Sequence, residues 1–239
     1  MTAARGDALQ GRIALVTGST RGIGQAIAQR LAADGATVIV NGRRAEDCAR
    51  VAAEIPGAVP MAADQADLAQ VRALCERAAR EVGTIDILVN NAAIAPRTAI
   101  TRVTDEEWNE SLLVNLTAPF WFIRELVPAM KKAGRGCIVN VTSGAGVSGT
   151  IGFSSYAAAK GGLVGLSMTL AQELVGFGIR VNLLAPGALT DMLRQLPPAL
   201  LEPMIGRLPS LEENAEAAFS LIADESRNGE LLHVGSDAG

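Results

Sequence analysis

The chain has 239 residues, of which 49% are hydrophobic and 19% are charged, and its formal net charge is −4. This composition indicates one globular α/β domain over residues 1–239 rather than a disordered chain, and it offers no basic surface for nucleic acid. The longest apolar runs fall far short of the ~20 residues that a membrane span needs, and residues 1–12 lack an apolar signal region, so we expect a soluble, cytoplasmic protein without membrane contact.

Short segments rich in Val, Ile and Leu alternate with longer segments of helical spacing. The predicted strands cover residues 13–17, 37–40, 58–62, 85–90, 137–141, 179–184 and 230–234. The predicted helices cover residues 23–34, 45–55, 68–82, 105–132, 154–177 and 211–223. Most strands are apolar throughout, which is typical of a parallel sheet covered on both faces. We therefore predict a Rossmann-type doubly wound parallel β-sheet of about seven strands with helices on both faces.

The glycine-rich segment TGSTRGIG, residues 17–24, follows the first strand and opens the first helix. Its glycines permit a tight turn and a close approach of the backbone to a ligand, and a helix N-terminus favours a phosphate. The order of strand, loop and helix predicts a dinucleotide site; the alternative is a glycine-rich turn without a ligand. The expected cofactor contacts here are Gly18, Ser19, Thr20, Arg21, Gly22, Ile23 and Gly24.

The second strand runs into Asn41, Gly42, Arg43 and Arg44, without the acidic residue that usually selects NAD at this point. Arg43 could form charge-assisted hydrogen bonds with the extra phosphate of NADP, and Arg21 in the glycine loop is expected nearby. We therefore predict NADP(H) in preference to NAD(H). The alternative is that Arg43 and Arg44 belong to an ordinary solvated turn.

Tyr156, the only tyrosine, precedes Lys160 by four residues in YAAAK. Four residues on a helix separate side chains on the same face, so the phenol and the ammonium could touch. Alone, this pair could equally be an ordinary helix surface.

Few residues could bind a metal, and we predict no metal site. The three cysteines are far apart in sequence and are expected to be small buried apolar residues, and there is one histidine, His233.

Residues 185–209 carry five prolines after the sixth predicted strand. Long irregular segments at the carboxyl end of a strand usually lie beside bound ligands. We predict a flap over the site at about 188–209, the alternative being a surface loop.

Six motifs occur in one order from about Gly11 to the C-terminus, and together they resemble the short-chain dehydrogenase/reductase family. They are TGSTRGIG, NNAA at 90–93, the asparagine of VNLTAPF, the serine of IVNVTSG, YAAAK, and APG at 185–187. The resemblance implies an NAD(P)-dependent oxidoreductase that acts on an alcohol or a carbonyl, commonly as a homotetramer, with a dimer as the smaller assembly.

The resemblance implies a catalytic tetrad of Asn115, Ser143, Tyr156 and Lys160. Tyr156 would donate a proton to the developing alkoxide, and Lys160, together with the positive nicotinamide of the oxidised cofactor, is expected to lower the phenol pKa from its ordinary ~10. Ser143 would hold the substrate oxygen, and Asn115 would support a water-linked proton relay. The alternatives are that Ser143 caps a turn and that Asn115 satisfies buried backbone.

The family pattern also implies further contacts. For the cofactor these are Asp64, Gln65, Asn91, Ala92, Tyr156, Lys160, Pro186, Gly187, Leu189 and Thr190, of which Asp64 competes with nearby Asp67. For the substrate they are Ser143, Ala145, Phe153, Tyr156 and Met192. The expected pocket is mostly apolar, which favours an apolar ketone or secondary alcohol.

Three features depart from the family pattern or from one branch of it. Ala93 replaces a usual glycine, and the C-terminal HVGSDAG differs from an ending that members often use at a subunit interface. Phe177 stands where 3-oxoacyl-carrier-protein reductases tend to carry a basic residue. Such a reductase, of fatty-acid or polyketide type, is one alternative function, and a non-catalytic NADP(H)-binding sensor or scaffold is another.

Overall fold

The computed structural model describes residues 6–187 and 208–235. Seven strands in these ranges form one parallel sheet in the order β3-β2-β1-β4-β5-β6-β7. The strands are β1 Ile13–Val16, β2 Thr37–Gly42, β3 Val59–Ala62, β4 Ile87–Asn90, β5 Gly136–Val141, β6 Ile179–Ala185 and β7 Leu231–His233. The order reverses between β1 and β4, where open sheets of this kind bind ligands. The predicted doubly wound fold is confirmed.

Helices cover both faces of this sheet. They are α1 Gly22–Ala33, α2 Ala45–Glu54, α3 Leu68–Glu81, α4 Asp105–Leu112, α5 Ala118–Ala133, α6 Ala145–Ser148, α7 Ser154–Leu174 and α8 Leu211–Ala223. One apolar core packs α1, α2 and α8 against one face, and a second packs α3, α5 and α7 against the other. Successive strand residues alternate between the cores: Val38 and Val40 face the first, and Ile39 faces the second.

The predicted helix over residues 105–132 is interrupted, which the periodicity did not indicate. A π-helical turn at Leu113–Thr117 separates α4 from α5. Pro119 lies at the start of α5 and has no backbone N–H, so it cannot donate the α-helical hydrogen bond to the carbonyl of Asn115. Such local π turns are frequent at functional sites.

Two shorter elements escaped prediction, and one predicted helix is shorter than expected. Helix α6 and a 3-10 turn at Ile100–Arg102 contain too few residues to show a period. The helix predicted to reach residue 177 ends at Leu174 and continues as a 3-10 turn over Val175–Phe177.

Asp86 fixes the amino-terminal edge of the central strands. Its carboxylate accepts a hydrogen bond from the backbone N–H of Ile13 at 3.0 Å and from Nε of Arg135 at 2.7 Å, and it pairs with Arg12 at 3.6 Å. The side chain is only 3% exposed. A carboxylate buried to this extent is held by its partners, and the same bonds align the starts of β1 and β5.

We expect Asp86→Ala to lower the free energy of unfolding by about 2–4 kcal/mol, because it leaves the Ile13 N–H and the two guanidinium groups without their buried acceptor. Urea titration followed by circular dichroism measures this change. Asp7→Ala, at an exposed position, is the control and should change stability by less than about 0.5 kcal/mol. Equal effects of the two substitutions would contradict this role of Asp86.

Candidate active site

The glycine loop forms a cradle at the point where β1 and β4 meet. Gly18 and Gly22 adopt φ values of +62° and +56°, which favour glycine. A Cβ atom at Gly18 would lie 2.7 Å from Cα of Ala92, and one at Gly24 would lie 2.5 Å from the carbonyl oxygen of Gly18. Larger side chains would therefore displace the backbone. The cradle fits the predicted dinucleotide, whose pyrophosphate needs this close approach.

Hydrogen bonds from the segment after β4 hold the loop in place. The Thr17 hydroxyl accepts from the backbone N–H groups of Asn91 at 3.0 Å and Ala92 at 3.1 Å. The amide Nδ2 of Asn91 donates to the carbonyls of Thr17 at 2.9 Å and Gly18 at 3.1 Å. The Asn91 side chain, assigned to the cofactor site by sequence, thus shapes the loop itself.

Ser19 and Thr20 connect the loop to the end of β2. The buried Ser19 hydroxyl donates to the Val16 carbonyl at 2.7 Å and accepts from the Asn41 N–H at 3.0 Å. A Cβ atom at Gly42 would lie 2.6 Å from Cγ2 of Thr20. Within these contacts, the Ser19 side chain bonds only to backbone, and Gly42 leaves space that Thr20 occupies.

Helix α1 presents an uncapped N-terminus to this cradle. Its N-cap residue, Arg21, is extended and makes no side-chain capping bond, and the first turn, which includes Gly22, Ile23 and Gly24, holds no acid. Backbone N–H groups of a first turn lack intrahelical partners and carry the positive end of the helix dipole. These groups therefore suit a phosphate.

The two arginines after β2 differ in their contacts. Arg44 bonds to Asp47 through Nε at 2.7 Å, whereas Arg43 is exposed and makes no ion pair with any residue of the described ranges. Of the two cations, only Arg44 already has an acidic partner. Arg43 is therefore the better candidate for an added phosphate.

The segment after β3 separates the roles of its two aspartates. Asp67 caps α3, because its carboxylate accepts from the N–H groups of Ala69 and Gln70. Asp64 accepts from the N–H of Ala66 at 2.9 Å, and Gln65 is buried. With Asp67 used as a helix cap, Asp64 remains the acid that the sequence assigned to the cofactor site.

Ser143, Tyr156 and Lys160 lie at the carboxyl edge of the sheet. Tyr156 and Lys160 project from the buried face of α7, and each is only 2% exposed. Ser143 follows β5; its hydroxyl accepts a hydrogen bond from the backbone N–H of Ala145 at 3.2 Å, as the turn-capping alternative expects, and it lies near enough to the Tyr156 phenol to lower the pKa of that group. The Lys160 ammonium donates to the Val141 carbonyl at 2.7 Å, and its Nζ lies 5.8 Å from the centre of the Tyr156 ring. Of the four predicted catalytic residues, these three are brought together.

Burial moves the pKa values of the pair in directions that the sequence did not indicate. Loss of hydration raises the pKa of Tyr156 to about 12, and the hydrogen bond with Ser143 offsets part of this rise. Loss of hydration also lowers the pKa of Lys160 to about 7. Without the cofactor, desolvation is the largest influence on the phenol pKa, and the expected lowering by Lys160 together with the oxidised nicotinamide stays a prediction.

Glycines bring α6 and α7 into close contact. A Cβ atom at Gly146 would lie 2.8 Å from backbone and side-chain atoms of Lys160, and one at Gly161 would lie 3.2 Å from the Gly146 carbonyl. These two glycines, which the sequence analysis missed, set how near the segment after Ser143 comes to Lys160. Their signal was present in SGAG and KGG as small residues flanking the motif.

Asn115 lies in the π-helical turn, fully buried. Its Oδ1 accepts from the N–H of Ile94 at 3.1 Å, and its Nδ2 donates to the carbonyl of Ile94 at 2.9 Å and to Ser111 at 3.2 Å. The side chain therefore anchors the segment after β4, as the alternative reading of Asn115 anticipated. Its backbone carbonyl does not accept the α-helical hydrogen bond from residue 119, because that residue is a proline.

The remaining predicted site residues are partly described. The Phe153 ring packs edge-on to Tyr156 with 6.2 Å between ring centres, and Ala145 opens α6. Gly187, after Pro186, is held by Asn214 of α8, which accepts from its N–H at 3.2 Å and donates to its carbonyl at 2.9 Å. Leu189, Thr190, Met192 and the predicted flap, apart from its last two residues, lie outside the described residues.

A buried polar network that sequence analysis also missed runs beneath α7. Asn90 Nδ2 donates to Oδ1 of Asn140 at 2.8 Å, and Asn140 Nδ2 donates to the Ser167 hydroxyl at 2.8 Å. Ser167 lies seven residues after Lys160, on the same helix face. Asparagines inside the apolar strands ILVN and CIVNV were the available signal.

The opposite edge of the sheet holds a cavity of about 420 Å³ beside Asp86, Arg12 and Arg180. The Arg180 guanidinium donates to backbone carbonyls at the end of α8, including Leu221 at 2.9 Å and Ile222 at 2.6 Å. The guanidinium of Arg180 thus satisfies carbonyl groups at the end of α8. The cavity lies at the amino-terminal ends of the strands, whereas Tyr156 lies at their carboxyl ends.

In the part of the chain that the structure describes, no helix is long and apolar enough to cross a membrane. Within those residues there is likewise no group of three or more metal-ligating side chains. The three cysteines are free and buried, as predicted.

A doubly wound sheet with a glycine cradle at its switch point, and with Ser143 beside the buried Tyr156 and Lys160 at the carboxyl ends of the same strands, is typical of a dinucleotide-binding oxidoreductase. The family model described as short chain dehydrogenase matches residues 12–200. The chain belongs to the short-chain dehydrogenase/reductase family, and it is an NAD(P)-dependent oxidoreductase that acts on CH–OH or carbonyl groups.

The similar proteins agree with this class. The 3-oxoacyl-[acyl-carrier-protein] reductase FabG of Escherichia coli is 40% identical over 235 residues, covering 94% of this chain and 96% of the relative. FabG of Thermotoga maritima is 36% identical over 241 residues, covering 97% and 98%. A gluconate 5-dehydrogenase from Burkholderia cenocepacia, solved with NADP and tartrate, superposes with a TM-score of 0.90 at 33% identity and covers 97% of both chains.

The lowered pKa of Lys160 predicts a pH-dependent stability in the cofactor-free protein. Between pH about 7 and 10.5 the unfolded chain binds more protons at this lysine than the folded one, so the free energy of unfolding rises with pH there. Each pH unit contributes up to ~1.4 kcal/mol. The raised pKa of Tyr156 acts oppositely, and only above pH 10.

Urea unfolding at pH 7 and pH 9.5 checks this pH dependence. The proteins compared are the wild type, Lys160→Met and the exposed control Lys132→Met. We expect the wild type and Lys132→Met to gain stability relative to Lys160→Met as the pH rises. Parallel changes in all three proteins would contradict the assigned pKa.

Proposed function

We propose that the protein reduces a ketone, or oxidises the corresponding secondary alcohol, with NADP(H) preferred over NAD(H) and Tyr156 as the general acid and base. The observation that carries this proposal is the placement of the buried Tyr156 phenol beside Ser143, with the buried Lys160 on the same helix face, at the carboxyl ends of the strands, where the glycine cradle also lies. A phenol placed there can exchange a proton with an oxygen that Ser143 also contacts.

The nicotinamide cofactor, when bound, supplies or accepts the hydride. Gly18, Gly24 and the first turn of α1 would hold its pyrophosphate, with Asp64 towards the adenine end. Ser143 orients the substrate oxygen, and Tyr156 donates the proton as negative charge develops there. Lys160 supplies positive charge beside the phenol once it leaves the Val141 carbonyl, which would bring the phenol pKa down from about 12.

Asn115 and Gly187 contribute by fixing the backbone around the site. The Asn115 side chain holds Ile94, at the wall of the site, and leaves its backbone carbonyl as an acceptor for a water that could link Lys160 to solvent. Gly187 is fixed by Asn214 where the chain leaves β6 towards the proposed flap. The flap itself, at about 188–209 of a single-domain chain, remains a prediction.

A 3-oxoacyl-carrier-protein reductase is the second candidate, supported by the FabG relatives of 36–40% identity. Carrier-protein docking needs exposed cations for an acidic partner. Here Phe177 is exposed, and Lys131 places its Nζ 4.1 Å from the centre of that ring. The ammonium remains available, so activity on 3-oxoacyl carrier protein is one arm of the substrate panel beside free ketones.

We further propose a homotetramer, or a dimer, in the cytoplasm. Exposed aromatic side chains on and beside α5 and α7, Phe120 and Phe177, support an association surface there. A non-catalytic NADP(H) sensor would bind the cofactor tightly and oxidise none of it with any carbonyl of the panel.

Tyr156→Phe should reduce kcat by at least about 10²-fold, since it removes the proton donor and keeps the ring. Its dissociation constant for NADPH, measured by fluorescence, should stay within about threefold of the wild type. Loss of NADPH absorbance with a ketone panel measures the turnover. Retained activity would overturn the assignment of Tyr156.

Arg43→Ala should raise the KM for NADPH about tenfold and leave the KM for NADH nearly unchanged, because only NADPH carries the extra phosphate. Arg44→Ala is the matched control, since that arginine is bonded to Asp47. A steady-state comparison of both cofactors with both variants checks the contact. Equal losses for NADPH and NADH in Arg43→Ala would count against it.

A further inference from the structure

The segment after β4 forms one wall beside Tyr156. The N–H of Thr98 donates to the carbonyl of Gly152 at 2.8 Å, which ties this segment to the loop that leads into α7. Phe153 follows Gly152, and its ring contacts the Tyr156 ring edge-on. Residues next to Thr98 therefore stand at the rim of the site, one layer away from the predicted proton donor.

The side chain of Arg97 lies along Gly152 at this rim. Gly152 adopts a φ of +84°, and a Cβ atom there would lie 3.2 Å from Cγ and 3.6 Å from Nε of Arg97. The absence of a side chain at Gly152 thus leaves the space that the Arg97 side chain occupies. Arg97 is exposed, and it forms no ion pair or hydrogen bond with any residue in the described ranges.

The acid that contacts the neighbouring residue Thr98 forms no ion pair with this cation. Glu107 of α4 uses one carboxylate oxygen to accept from the Thr98 hydroxyl at 2.7 Å, and its other oxygen is buried without a partner. Asp105 and Glu106 lie in the first turn of α4, where they complement the helix dipole and face solvent. Arg97 therefore keeps its hydrogen-bond donors available.

We propose that Arg97 determines substrate specificity by binding an anionic group, a carboxylate or a phosphate, carried by the carbonyl substrate at some distance from the reacting carbon. The inference rests on the proposed function and refines it: the Arg97 guanidinium at the rim selects a substrate with a charged end. A planar guanidinium offers two parallel hydrogen bonds to either anion, and these charge-assisted bonds are stronger than neutral ones.

The test uses matched pairs of charged and neutral ketones with NADPH. One arm compares 4-oxopentanoate, 5-oxohexanoate and 6-oxoheptanoate with their methyl esters, and a second compares a 3-oxoacyl thioester of pantetheine with that of 4′-phosphopantetheine. We expect the wild type to prefer the charged member of at least one pair about tenfold in kcat/KM. The arm that shows the preference identifies the anion as carboxylate or phosphate.

Arg97→Ala should abolish this preference while kcat/KM for the neutral member changes less than about twofold, and Arg97→Lys should restore part of it. Arg102→Ala, an exposed arginine five residues further along, is the matched control and should keep the preference. If neutral ketones are reduced and the wild type shows no preference, or if Arg97→Ala retains it, this inference is overturned and the proposed function stands. If no ketone of either kind is reduced, the proposed function is overturned as well.

Discussion

The contact between Gly18 and Ala92 is the constraint on which the site depends. With only 2.7 Å between a possible Cβ at residue 18 and Cα of Ala92, the glycine loop and the segment after β4 are pressed together at the switch point of the sheet. The Thr17 hydroxyl accepts hydrogen bonds from two N–H groups of that segment, and the Asn91 side chain donates two hydrogen bonds to the loop. These contacts restrain the cradle, and restraint of a binding site lowers the entropic cost of binding a ligand.

Burial is the second constraint, and it acts on the chemistry. Tyr156 and Lys160 are both nearly inaccessible, and a medium of low polarity favours the neutral form of each, so the phenol holds its proton and the lysine tends to lose its own. A phenol with a pKa of about 12 is a weak acid. The same low polarity strengthens electrostatic interactions. A cationic nicotinamide or a protonated Lys160 close to the phenol oxygen would therefore attract its negative charge with little screening.

The sequence was sufficient to predict the fold, and it was insufficient to predict the environment of the proposed site residues. Apolar strands and glycine spacing follow local rules, so all seven strands were predicted to within two residues at each end. The division of roles between Asp64 and Asp67, or between Arg43 and Arg44, depends on capping and pairing that only the folded chain defines. The interruption at Leu113–Thr117 was hidden because a π turn keeps the composition of a helix, although Pro119 marked its end.

The sheet and the small helix α6 together fix the positions of Tyr156 and Lys160. Asn140 donates to Ser167 from inside an apolar strand, and a hydrogen bond of this kind admits one rotation of α7 about its axis, whereas apolar contacts alone would tolerate several. Gly146 sets the distance from the other side, because its missing Cβ lets the chain after Ser143 reach the backbone of Lys160. Rotation and distance are thus set by different residues, neither of which takes part in the proposed chemistry. Because neither residue lies at the rim, we expect a substitution of Arg97 there to leave the position of the phenol unchanged.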